Sequence, residues 1–236
     1  MHYDFKMKFN KGDSQNNRNF QVPEIDWLLN EALSIYIKVI AEPRFRKPEM
    51  SGIDFNQRTI NDLREIVDES KSKEATGIAL TQFDDTRWLA TLPTDYMFYT
   101  RGYVVATKDK CKGKLRCYEK SRGDIHEENT HYNSSFEWRE INIETSGNNL
   151  VIYSDNTFTP SKLLLSYLRI PKYMHNAQDF GGSYMNADKT VTYTGHQNCE
   201  LSSITHSEIV DLAVLITAGN ILGDYQTKLE KLKLTQ

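Results

Sequence analysis

Two hydrophobic periods divide the chain. From Glu24 to Ala41, the residues Leu28, Leu29, Ala32, Ile35, Tyr36 and Val39 recur at the spacing of one helical face. Pro23 suits the opening turn, Glu24 and Asp26 complement its positive end, and Pro43 and Pro48 stop it. A second helix is predicted over about Phe55 to Lys73, capped by Ser51 or Asp54. Its apolar side is Ile60, Leu63, Ile66 and Val67, and its wet side is Asp62, Arg64, Glu65 and Asp68. The short linker predicts an antiparallel helical hairpin over residues 23–76.

From Gly77 the period falls to two. Expected strands are Ile78–Leu80, Arg87–Thr91, Tyr96–Thr107, Lys110–Tyr118, Glu137–Ile143, Asn149–Tyr153, Lys162–Ile170 and Thr190–Thr194. Turn residues separate them, among them Pro93, Lys112-Gly113, Ser121-Arg122-Gly123 and Gly181-Gly182. Helices do not alternate with strands, so an antiparallel sheet or sandwich over residues 77–200 is expected and a parallel sheet is not. Thr205-His206-Ser207-Glu208 then fits a capping box, opening a helix from Ile209 to about Lys233. Its first half is apolar nearly all round, which requires burial on several sides.

The fold class that follows is α+β. An N-terminal helical hairpin (23–76) and a long C-terminal helix (201–236) form a helical layer, with an antiparallel β domain (77–200) inserted between them. Residues 1–22 are rich in charge and amide, and read as a polar N-terminal arm.

Composition narrows the function classes. The 29 basic and 32 acidic side chains give a net charge of −3, against a generic nucleic-acid binder. Cys111, Cys117 and Cys199 are too few, and wrongly spaced, for a disulfide scaffold or a CxxC zinc site. Neither a signal-peptide pattern nor an apolar run long enough to span a membrane is visible, so assembly in the cytoplasm is expected.

Catalytic patterns are weak. His126 and His131 flank Glu127 and Glu128, but their i, i+5 spacing does not place two metal ligands on one helical face. The sequence carries no nucleophile elbow, P-loop or dinucleotide fingerprint. No enzyme activity, metal or cofactor is expected.

The stronger signal is charge. Lys108, Lys110, Lys112, Lys114 and Arg116 fall at every second position, on one face if the segment is a strand. Lys108 to Arg122 holds seven basic and two acidic residues, a net of +5. Asp124 to Glu144 holds six acidic residues and Arg139, a net of −5. Three readings are open: a solvated edge hairpin, a surface that meets the acidic segment of another copy, and contact with a DNA backbone. The second makes Lys108, Lys110, Lys112, Lys114, Arg116, Glu127, Glu128, Glu137 and Glu140 the candidate inter-subunit contacts.

Three stretches in order carry a resemblance. They are Leu92-Pro93-Thr94-Asp95-Tyr96, then Leu165-Ser166-Tyr167-Leu168-Arg169-Ile170-Pro171, then Leu201 with His206-Ser207-Glu208-Ile209-Val210-Asp211-Leu212-Ala213. In motif order and spacing the chain resembles head-to-tail connector and tail-barrel ring proteins of short-tailed bacteriophages, the crAss-like group most closely. The resemblance implies a virion structural protein, one subunit of a homo-oligomeric ring of roughly twelve copies around the DNA ejection channel. Its partners would be other copies of itself, the portal and neighbouring tail proteins, and phage DNA passing through the lumen without sequence-specific binding. The alternative is a carbohydrate- or receptor-binding β-sandwich on a virion surface, reading its ligand through loops such as His131-Tyr132-Asn133.

Overall fold

The computed structural model describes residues 1–12, 20–41, 61–119, 133–186 and 188–222. The chain forms two compact units: Met1–Ile66 with Pro171–Gln236, and Val67–Ile170. The β unit is thus an insertion in a helical one. Its boundaries differ from the expected 77–200, because Val67 already pairs with the sheet and residues 171–200 belong to the helical unit.

The helical unit contains α1 (His2–Gly12), α2 (Val22–Ala41) and α3 (His206–Leu222). Helix α1 corrects the expected polar arm. Phe5 and Phe9, one turn apart, are buried and stack at 6.1 Å, with Phe20 edge-on to both. Lys8 anchors the helix to α3 through Asp211 at 2.7 Å. Helix α2 buries Ile25, Leu28, Leu29, Ala32, Leu33, Tyr36 and Ile37, close to the expected stripe. Helix α3 buries Ile209, Val210, Leu212, Ala213 and Ile216 against α1 and α2. At its start the Thr205 hydroxyl donates to the Ser202 carbonyl, and a Glu208 carboxylate oxygen accepts from the Tyr36 hydroxyl. Beyond Leu222 the expected course to Lys233 lies outside the described residues.

The expected second helix ends earlier than Lys73: residues 55–60 lie outside the described residues, and residues 61–63 are helical. Leu63 and Ile66 are buried, but the chain becomes a 3-10 turn at Arg64–Ile66 and a strand at Val67–Asp68. Apolar spacing does not mark where a helix gives way to a turn entering a sheet; the pairing of Val67 with Leu168 decides it. Among the described residues, helices α1 and α2 meet α3; the expected second arm of the 23–76 hairpin lies largely outside the described residues.

A buried carboxylate organises the same unit. Asp26 on α2 is wholly shielded from solvent and accepts hydrogen bonds from His2 Nε2 (2.6 Å), the Asn176 N–H (3.1 Å) and the Tyr184 hydroxyl (2.5 Å). Asn30, one turn on, bonds both the N–H and the C=O of Met174. These contacts hold two small antiparallel strand pairs, β10 (His175–Asn176) with β13 (His196–Gln197) and β11 (Ser183–Met185) with β12 (Thr192–Thr194), beside α2. Tyr173 stacks on Tyr193 at 4.6 Å between them.

The β unit is a single curled sheet. Its strands are β1 (Val67–Asp68), β2 (Ile78–Ala79), β3 (Thr81–Gln82), β4 (Arg87–Thr91), β5 (Tyr96–Lys108), β6 (Cys111–Glu119), β7 (Glu140–Ser146), β8 (Asn149–Tyr153) and β9 (Thr159–Arg169). The hydrogen-bonded order is β1-β9-β5-β6-β7-β8-β4-β3, and β2 also pairs with β9. Only Leu80 separates β2 from β3, so one short run bonds β9 on one side and β4 on the other. The sheet thereby curls until its two ends share a strand, in the manner of a small barrel.

Inward positions fill the interior: Ala90, Leu92, Val104, Ala106, Leu115, Cys117, Ile141, Ile143, Leu150, Ile152, Phe158, Leu163, Leu165 and Tyr167. This corrects the expected all-antiparallel sheet or sandwich. Strand β6 pairs with β7 in parallel, Arg116 opposite Glu140 and Glu119 opposite Ile143.

Candidate inter-subunit surface

The β5–β6 hairpin turns on Asp109-Lys110, both left-handed (φ 48° and 67°). This two-residue turn matches the twist of the strands it joins. It also redistributes the basic series. Lys108 ends β5, Lys110 lies in the turn, and Lys112, Lys114 and Arg116 share the outer face of β6. The five cations therefore do not lie along one strand face: a turn interrupts the alternation that the sequence carries straight through. Leu115 and Cys117 point into the core, as period two requires.

Acidic partners from the same chain already engage part of this surface. Between β1 and β2 the chain loops along β9, tied by the Leu165 N–H to the Lys71 carbonyl (3.1 Å). From this loop Glu69 pairs with Arg101 at 2.5 Å, and Glu74 pairs with Lys112. The Lys162 ammonium donates to the Glu74 carbonyl at 3.2 Å. Glu74 is held below the usual carboxylate range, first by its hydrogen bond to Lys112 and then by the charges of Lys112, Lys114 and Lys162. Lys108 donates to Glu137 at 3.0 Å, which raises its pKa. These groups are exposed, so solvent screening leaves each pair little weight in stability.

Of the remaining candidates, Arg116 lies over the Tyr118 ring at 5.4 Å, and its N–H donates to the Arg139 carbonyl at 2.7 Å. Glu140 opens β7 opposite Arg116. Glu127 and Glu128, with the His126–His131 stretch, lie outside the described residues. The structure thus brings Lys112, Lys114, Arg116 and Glu140 onto adjoining strands, and sets Lys108 with Glu137 at the hairpin end.

Sequence reasoning missed Trp138, 81% exposed beside left-handed Arg139, and the half-exposed Tyr103 and Tyr118. The tyrosines were legible as outward positions of strands. Glu69, Glu74 and Lys162 carried no signal, since only the path of the β1–β2 loop brings them here.

Two of the quoted motifs meet. Tyr167 donates toward Asp95 at 3.0 Å and lies 3.3 Å from Asp68; Tyr96 pairs with Arg169; and the Ile170 N–H bonds the Asp95 carbonyl at 2.7 Å. Pro-x-Asp-Tyr and Tyr-x-Arg-x-Pro are two halves of one clamp, placed where the chain enters and leaves the β unit. In the third motif His206 Nε2 lies 3.1 Å from the Leu201 carbonyl, fixing the approach to α3.

Among the described residues no cluster of three or more metal-ligating side chains occurs, and no helix is long and apolar enough to cross a membrane. All three cysteines are free thiols, Cys117 pushed up to about 12 by burial. Compared with known proteins, the chain matches no family model and is similar to no curated sequence.

Proposed function

We propose that this chain is a structural subunit of a tailed-phage virion, one copy in a homo-oligomeric ring of the head-to-tail connector or tail barrel. The observation that carries the reading is the meeting of the two distant motifs in one clamp at the mouth of the β unit. Motifs 72 residues apart that close on each other are a single structural feature, which is what a resemblance in order and spacing requires. The ring would surround the DNA ejection channel without reading base sequence, and would dock on the portal and adjacent tail proteins. Its role would be mechanical rather than catalytic.

In this reading the outer face of β6 contacts protein. Clustered cations lining a channel would hold each passing phosphate and slow the DNA, since every neutralised phosphate adds about one unit to the salt dependence of binding. Placed between copies, the same charges set register and speed docking. The test is the triple variant Lys110→Glu, Lys112→Glu, Lys114→Glu. It is expected to fold as the unaltered chain does but to be missing from assembled rings. Normal rings with altered DNA retention would instead assign the face to DNA, and reproducible glycan-array hits through Trp138 would favour the carbohydrate-binding alternative.

A further inference from the structure

The turn geometry fixes which backbone groups of β6 are spent on β5. Lys108 and Cys111 close the two-residue turn as a narrow pair, so Ala106 with Gly113 and Val104 with Leu115 exchange hydrogen bonds in turn. The N–H and C=O groups of Lys112, Lys114 and Arg116 therefore point away from β5. At Arg116 that direction is satisfied by the Arg139 carbonyl at 2.7 Å. Strand β7 begins only at Glu140, opposite Arg116. Among the described residues no strand stands opposite Lys112 or Lys114. The inner side of this gap is sealed by Phe136, whose Cζ lies 2.9 Å from where a Cβ on Gly113 would be. Among the described residues, what remains is a short open edge, in line with β7, bordered by lysine side chains.

We propose that this edge receives an extended acidic segment of a second copy of the chain as an added strand, with residues 124–128 (Asp124-Ile125-His126-Glu127-Glu128) as the segment. The inference rests on the ring reading above and specifies how neighbours engage. Charge selects the occupant: like edges of two copies repel through Lys112 and Lys114, whereas the acidic segment places three carboxylates in five residues. A contact between an edge and a different segment is heterologous, the type that propagates around a ring. Main-chain bonds from two residues are weak singly, and closure of a ring multiplies them.

The test titrates a synthetic peptide of residues 123–131 into the full-length chain, with amide hydrogen exchange read at Lys112 and Lys114. The expected result is salt-sensitive binding with exchange at both amides slowed at least roughly tenfold. The same peptide N-methylated at alternate residues keeps every charge but cannot form the ladder, and is expected to bind at least roughly tenfold more weakly. Lys114→Pro removes one edge N–H, which an edge strand tolerates; it is expected to keep the melting temperature and to lose the peptide-induced protection at Lys112, the amide that remains. Equal binding of the N-methylated peptide, binding without protection, or no binding each overturns strand addition. None of these touches the ring itself, which electron microscopy of particles decides separately.

Discussion

Asp26 shows how much of the helical unit hangs on one side chain. Its carboxylate is fully buried and meets three donors from separate segments: His2, Asn176 and Tyr184. Asp26→Ala is expected to cost about 3 kcal/mol, because the donors keep their burial and lose their acceptor; denaturant unfolding measures it. Burial acts on the tyrosines nearby. It pushes Tyr173 up to about 12 and raises Tyr184, which also donates to Asp26. Their folded values exceed the unfolded value of about 10, so the native state holds protons that the unfolded chain releases. This stabilisation is fully present below about pH 10 and is lost as pH rises through about 12. Unfolding free energies between pH 8 and 12 should decline above about pH 10, and Tyr173→Phe should flatten the decline. The sequence displayed Asp26 only as a helix-dipole residue. Its role as a hub depends on donors 24, 150 and 158 positions away, which no local pattern reveals.

The elements were legible in proportion to how far local pattern decides them. Strands β4 and β8 have the bounds that alternation predicts, and α2 differs from its expectation by two residues at the start. Helix α1 was hidden by Lys6 and Lys8, although Phe5 and Phe9 carried an i, i+4 signal. Strands β1 and β3, of two residues each, are too short to show a period and exist through their partners. The parallel β6–β7 pairing was invisible, because adjacent strands in sequence ordinarily pair antiparallel. That pairing leaves the gap in the wall which Phe136 fills. Gly113→Ala is therefore expected to cost about 1–3 kcal/mol by driving a methyl into the ring. Phe136→Leu in the same chain should recover part of the loss, a coupling that a double-mutant cycle reads directly.

For the whole molecule, the insertion of one unit in another has a direct consequence. Val67 pairs with Leu168, so the β unit starts and ends on adjacent strands. Among the described residues, its core comes from residues 67–170. Residues 67–170 expressed alone are expected to fold, with hydrogen-exchange protection along β5, β6 and β9 matching that in the full chain. The candidate surface was half legible: the charge blocks are plain in the sequence, but which cations already have partners within the chain depends on the path of the β1–β2 loop, which brings Glu74 to Lys112, and on Glu137, which meets Lys108. The central claim, that this chain builds a ring, is tested most directly by cryo-electron microscopy of virions that carry it. The account predicts a closed cyclic ring of roughly twelve copies around an axial channel, stacked near the portal. Copies scattered singly on the outside of the particle, or a chain missing from purified virions, would contradict it.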